Sequence, residues 1–201
     1  MQYLERNYRR LVSDNKLQSY QVTVRETDLL ISSDVELKQS ALDSVHRHRA
    51  YLEAYISRHP EFLSALAPLA PDDLAPDIVR DMLNAARLTG VGPMAAVAGA
   101  VAQRVGQDLL SHTSNVIVEN GGDIFLKCHN EMKIGIFAGA SPLSSRLVIR
   151  IRPEETPVGV CTSSGTVGPS LSFGAADAVC VKSGSAALAD AAATAIGNHV
   201  K

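Results

Sequence analysis

Between residues 20 and 33, apolar and polar positions alternate in YQVTVRETDLLISS, a run rich in β-branched residues. A period of two predicts two short strands, with Glu26, Thr27 and Asp28 forming the turn between them. The period changes downstream, where Leu37, Ala41, Val45, Leu52 and Ile56 recur at helical spacing with charged residues filling the other face. An amphipathic helix is expected there, capped by Ser33 or Asp34 and stopped by Pro60. The segment from Pro60 to Gly90 carries four prolines. Each proline fixes φ and removes a donor, so a short helix, a turn-rich connector near 60–78 and a further helix ending at Gly90 are predicted.

Residues 90–106, GVGPMAAVAGAVAQRVG, place Pro93 in the first turn of a small-residue helix that the pattern ends at Gly106 and buries. Four apolar runs follow, NVIVEN, DIFLKC, MKIGIFAG and SRLVIRIR, and each reads as a strand. The last third gives an extended stretch into CTSSGT, a further strand at AVCVKS and an alanine-rich helix over 186–197. The predicted fold class is therefore α+β, with two packed halves, mainly antiparallel sheets and buried small-residue helices. The expected organisation is one domain over 1–201, built as two intimately packed subdomains with the connector near 60–78.

Nineteen basic and twenty-one acidic residues give a net charge of −2, and no basic run is long enough to follow a phosphate backbone. Nucleic acid is thereby disfavoured as a partner. The start MQYLERNYRR has charge where a signal peptide needs an apolar region, and no apolar run reaches the ~18 residues of a membrane span. The expectation is a cytoplasmic protein with no membrane partner. Cys128, Cys161 and Cys180 lack both C-x-x-C spacing and an even count, so buried, reduced thiols are expected rather than a disulfide framework or zinc site. His46 and His48 stand two apart on a helix, where side chains diverge, and are read as surface residues.

Three clusters hold the candidate chemistry. Gly121, Gly122 and Asp123 suit a tight turn, or a close approach of backbone to a ligand with Asp123 as a candidate general base. Thr162, Ser163, Ser164, Gly165 and Thr166 form either a polar loop or a set of N–H and O–H donors for phosphate, without the Gly-Lys-Ser/Thr of a Walker loop. In SAALADAAATAIGN, half of the fourteen residues are alanine, yet Asp190 and Thr194 sit four apart on one helix face. Asp190 is either a solvated charge near a helix N-terminus or, with the Thr194 hydroxyl, a pair of hard oxygen ligands for Mg²⁺. Because alanine is the best helix former, replacing Asp190 with it is expected to leave the helix at least as stable.

The order and spacing of GVGPMAAVAGAV, VENGGDI, CTSSGT and SAALADAAATAIGN resemble the ApbE superfamily, whose typical members are FAD:protein FMN transferases. Nearly the whole chain, including ERNYR and ETDLLI, resembles a compact, cytosolic prokaryotic branch of that superfamily. The resemblance implies a T-fold-like architecture and a Mg²⁺ site at Asp190 and Thr194, which match the family's D-x-x-x-T. It also implies FAD or FMN as ligand or substrate, and a protein acceptor for the transferred group. Gly121, Gly122 and Asp123 match the family's Gly-Gly-Asp, with Glu119 where an asparagine is usual, while Ser164 and Gly165 match Ser-Gly of Ser-Gly-Asp and Thr166 replaces its aspartate. The family's lysine is absent from the glycine-rich helix motif, and GPSLSFGAAD stands in place of His-x-x-Asp-Pro.

The implied ligand is thus a phosphorylated small molecule, a flavin nucleotide with Mg²⁺, and the implied activity a Mg²⁺-dependent FMN transfer. Two other readings stay open: a binding or regulatory protein that kept the fold, and an enzyme acting on another phosphorylated metabolite.

Overall fold

The computed structural model describes residues 17–165 and 174–201. Strands β1 (Gln18–Val24) and β2 (Thr27–Ser33) form the expected hairpin. The reversal falls at Arg25 and Glu26, one to two residues before the expected turn, with Arg25 at a positive φ of 52°. Thr27 and Asp28 belong to the strand and are buried in it.

Helix α1 (Lys38–Arg58) begins later than the expected caps, at Leu37, which offers no side-chain cap. Asp34 is used elsewhere: Oδ2 accepts from the backbone N–H of Ser114 and Asn115 and from the Thr113 hydroxyl, tying the end of β2 to the chain before β3. The Ser33 hydroxyl instead bonds the Tyr20 hydroxyl and the Val35 carbonyl. The connector region holds the short helix α2 (Glu61–Ser64), then irregular chain to α3 (Asp77–Thr89), which ends at Gly90 in the left-handed conformation, φ 78°.

A 3-10 turn over Pro93–Ala96 leads into α4 (Val97–Leu109). The helix runs past Gly106 rather than stopping there. Gly106 lies against a ring: a Cβ on it would sit 2.2 Å from Phe125 Cδ1. Glycine is required at that position for packing, which is why it does not mark a helix end.

Strands β3 (Val116–Asn120) and β4 (Asp123–Lys127) form a hairpin about Gly121 and Gly122. β5 (Met132–Gly135) and β6 (Val148–Ile151) are shorter than their apolar runs and, among the described residues, pair only with each other. β7 (Val158–Ser163), β8 (Val179–Ser183) and α5 (Ala186–His199) complete the described chain. The main sheet has the order β1-β2-β3-β4-β7-β8, and every described pairing is antiparallel.

Side-chain alternation in this sheet separates two cores. Val116, Val118, Phe125 and Cys161 face the helices, where α4 and α5 bury Ala100, Val105, Ala187 and Ala191. Ile117, Ile124, Leu126, Val158 and Val160 face the other way and pack on Met132, Ile134 and Ile151 of the two-stranded sheet. The alanines of α5 allow close contact with the sheet, since a Cβ on Gly159 of β7 would lie 2.3 Å from the Ala186 Cα. Among the described residues, no single helix is long and apolar enough to cross a membrane.

Candidate functional site

The alternation that builds the helix-facing core also carries Asp123 to it. Asp123 is paired with Asn120 across the hairpin and lies one position beyond the Ile124–Val160 pair, which sets it opposite Cys161 on β7. Its carboxyl bonds the Cys161 thiol and the Thr162 backbone N–H. Burial, with Glu119 adding repulsion, outweighs those bonds and pushes its pKa up to about 7.

Asp190 approaches the same region from α5. Its Oδ2 accepts from the Gly99 N–H at 2.9 Å, and its carboxyl also accepts from the Ala98 N–H. Those N–H groups belong to the first turn of α4, which has no intrahelical partner for them, and no side chain of its own caps that end. Asp190 therefore caps α4 from another helix, with its carboxyl at the positive end of the macrodipole. Contact is close enough that a Cβ on Gly99 would lie 2.3 Å from the Ala186 carbonyl oxygen and 2.9 Å from the Asp190 Cβ. Burial first and the field of Asp123 second raise the Asp190 pKa well above the ordinary carboxylate range. Thr194 lies one turn further along α5 and is partly buried.

Cys161 is fully buried, with Sγ 3.3 Å from the Ala186 carbonyl oxygen. Burial, then Asp123 and Asp190, push its pKa up, so it remains a thiol. Asn120 closes the edge of this region by donating Nδ2–H to the Ala98 carbonyl over 3.1 Å. Asp123, Cys161, Asp190 and the start of α4 thus surround one region.

The other candidates are placed less uniformly. Gly121 and Gly122 take φ values of 67° and 111°, as a two-residue hairpin loop with positive φ at both positions requires. Thr162 contributes its backbone N–H to Asp123, but its hydroxyl donates to Cys180 Sγ at 3.2 Å, and Cys180 packs with the core on the opposite face. Ser163, two residues from Cys161 on β7, shares the Cys161 face. The Gly165 N–H is committed to the Ala176 carbonyl at 3.0 Å, and a Cβ there would lie 2.2 Å from the Gly174 carbonyl oxygen. Gly174 in turn packs on Gly197 of α5, and the Ala175 N–H donates to the Val200 carbonyl. Ser164 follows β7 directly and is partly buried, while Thr166 lies outside the described residues.

Sequence reasoning misplaced His48. It is 8% exposed, and its Nε2 lies 2.8 Å from Asp108 Oδ2, which also accepts from Ser44 and Arg47. Ala41, Val45, His48 and Leu52 share one stripe, a spacing that was visible in the sequence. Gln103 went unremarked, although it is buried and bonds the N-terminus of α5.

A family model described as AbpE bacteria matches residues 9–201. The chain belongs to this family. Among relatives of this chain, a UPF0280 protein of Methanococcus maripaludis is 46% identical over 182 residues, covering 89% of this chain and 74% of the relative. Another, from Methanocaldococcus jannaschii, is 43% identical over 180 residues, covering 88% and 73%. The apo form of the Pseudomonas stutzeri flavinyl transferase ApbE aligns over 90% of this chain and 83% of its own, with a TM-score of 0.56 at 15% identity. That likeness shows the fold: the AbpE chain has an ApbE-like α+β architecture.

Asp190 and Thr194 are hard oxygen donors of the kind Mg²⁺ accepts. Among the described residues, no three His, Cys, Asp or Glu side chains converge as a cage. Mg²⁺ does not require one, because it keeps several waters and is held by one or two carboxylates together with substrate phosphates. Asp190 and Thr194 offer a carboxylate and a hydroxyl of the right hardness. Asp190 also meets a structural need in α4, so capping and metal binding draw on the same side chain.

Proposed function

We propose that this protein binds a flavin nucleotide together with Mg²⁺ in the region between α4, α5 and the β4–β7 edge, and acts as a divergent FMN transferase. The observation that carries this reading is the placement of half-buried Asp190, from the D-x-x-x-T segment, near enough to half-buried Asp123 that the field of Asp123 raises its pKa. A pyrophosphate entering such a site meets two carboxyl groups, so it needs a divalent cation to accompany it. Bound Mg²⁺ would supply that neutralisation and polarise the phosphoryl oxygens.

The protein's own groups have separate tasks. Asp190 and Thr194 hold the cation, while the first turn of α4 and the Asp190 side chain fix each other. Ser163 and Ser164 lie where β7 leaves the sheet and supply hydroxyl donors to phosphate oxygens. Asp123, with its pKa near neutrality, is poised to take the proton of an attacking acceptor hydroxyl. Cys161 supports Asp123 from below and does not itself attack.

The test is incubation of the full chain with FAD, Mg²⁺ and a threonine-containing acceptor peptide, followed by intact-mass analysis. A gain of one FMN on the peptide is expected, dependent on Mg²⁺ and lost in Asp190→Asn. Mg²⁺-dependent FAD binding by calorimetry without mass gain would establish a binding protein that kept the site and not the transfer. Absence of both would overturn the reading.

A further inference from the structure

We infer that Gln103 is a positioning residue that sets where Asp190 lies, through a reciprocal latch in which α4 and α5 cap each other's N-termini. This rests on the proposed metal role of Asp190. Gln103 Oε1 accepts the Ala186 N–H at 2.7 Å and the Ser185 hydroxyl at 3.1 Å. Ala186 is the first residue of α5, so its N–H is one of the donors that helix leaves unsatisfied. One turn earlier on α4, Gly99 donates to Asp190, one turn later on α5. Each helix therefore supplies one side chain to the other's first turn, and the two contacts stand four residues apart on both helices.

The Gln103 amide can be oriented in only one way. A backbone N–H donates and a carboxylate accepts, so Oε1 must face Ala186 and Nε2 must face Asp81, whose Oδ2 lies 3.3 Å away. Asp81 is held in turn by Arg104. With Gln103 only 7% exposed, water does not compete for these bonds. With both points in place, the position of Asp190 along α4 is set from each end, so the start of α5 cannot shift without moving Asp190 relative to the first turn of α4.

The test titrates Mn²⁺ alone, as a divalent probe, into the full chain and reads free ion by electron paramagnetic resonance, with melting curves alongside. Gln103→Leu is expected to weaken Mn²⁺ binding by about tenfold or more, the range seen when a group behind a metal ligand is removed. Leu109→Ala, which opens the core at the far end of α4, is expected to lower the melting temperature and leave Mn²⁺ affinity within about twofold, because it touches neither cap. Gln103→Glu alone sets a carboxylate against Asp81 and is expected to lose affinity. Combined with Asp81→Asn it restores an acceptor for Ala186 and a donor across the Gln103–Asp81 contact, and affinity is expected to return to within about threefold of wild type. These two variants carry the test if Gln103→Leu does not fold. Unchanged affinity in Gln103→Leu and Gln103→Glu, no recovery in the double variant, or an equal loss in Leu109→Ala overturns the latch and leaves the site reading standing. Wild-type protein that takes up no Mn²⁺ overturns both.

Discussion

Gly99 and Asp190, 91 positions apart in the chain, meet through one hydrogen bond of 2.9 Å, at a point where the helices carrying them leave no room for a Cβ. The bond satisfies a first-turn donor of α4 and fixes the orientation of the only carboxylate on α5. Space and polarity are thus constrained at the same residue pair, and substitutions on its two sides have different consequences.

Gly99→Ala places a methyl group against the Ala186 carbonyl and the Asp190 Cβ, both backbone-anchored, so the helices must separate. Overpacking of this kind costs about 1 to 3 kcal/mol, and urea unfolding should show a loss in that range. Because the separation also breaks the Gly99–Asp190 bond, Mg²⁺-dependent FAD binding should fall with it. Full stability in Gly99→Ala would mean that α4 and α5 are less tightly apposed than described.

Asp190→Asn and Asp190→Ala separate the capping role from the metal role. Asparagine keeps an acceptor for the Gly99 N–H and removes the charge that burial and Asp123 disfavour, so the metal-free protein should be at least as stable as wild type. Alanine strands the N–H groups of Ala98 and Gly99 and should be about 1 to 3 kcal/mol less stable than asparagine. The sequence alone suggested no such cost, since alanine suits the helix. Both variants should lose Mg²⁺-dependent binding by calorimetry; an Asp190→Asn protein that binds as wild type would leave only the cap.

The hydrophobic pattern sufficed to place most elements, because strands and helices here are half buried and display their periods. It failed where a residue's reason lies in another part of the chain. Gly106 reads locally as a helix end, but it is there for the Phe125 ring. Arg25 turns the first hairpin at positive φ without being a turn-forming residue type. Asp190 and Thr194 stand out because their spacing is local, whereas the Gln103–Ala186 and Gly99–Asp190 contacts cross more than eighty residues and leave no local pattern. His48 was a different kind of miss: its stripe with Ala41, Val45 and Leu52 was visible, and the polar side chain concealed it.

Cys161 should be inert. It has no exposed surface, and burial, Asp123 and Asp190 all hold it in the thiol form. Native protein treated with a thiol-specific reagent should therefore label Cys161 only at the rate of unfolding, with Cys180, which is partly exposed, reacting first. Rapid labelling of Cys161, mapped by peptide mass, would show that this region opens and would make Cys161 a candidate nucleophile.

The last prediction concerns pH and reverses the usual direction for an aspartate. Asp123 has its pKa raised from an ordinary 3.8 to about 7, so the folded protein holds this proton through a range in which the unfolded chain has lost it. Stability from the protonated carboxyl is complete below the unfolded pKa and is lost as pH rises through about 4 to 7, at up to ~1.4 kcal/mol per unit. Asp190, raised by burial and by Asp123, acts in the same sense. Asp34 and Asp108 act oppositely: burial disfavours their charge, but their hydrogen bonds outweigh it and lower both pKa values, so their contribution disappears only in stronger acid. Between about pH 5 and 7 the raised pair should dominate, and metal-free protein should become easier to unfold in urea as pH rises. Asp123→Asn removes one titrating group and relieves its neighbour, so its slope over that interval should be much shallower. If wild type and Asp123→Asn show the same slope, the Asp123 carboxyl is ionised in the folded protein across this interval and its pKa is not raised toward neutrality.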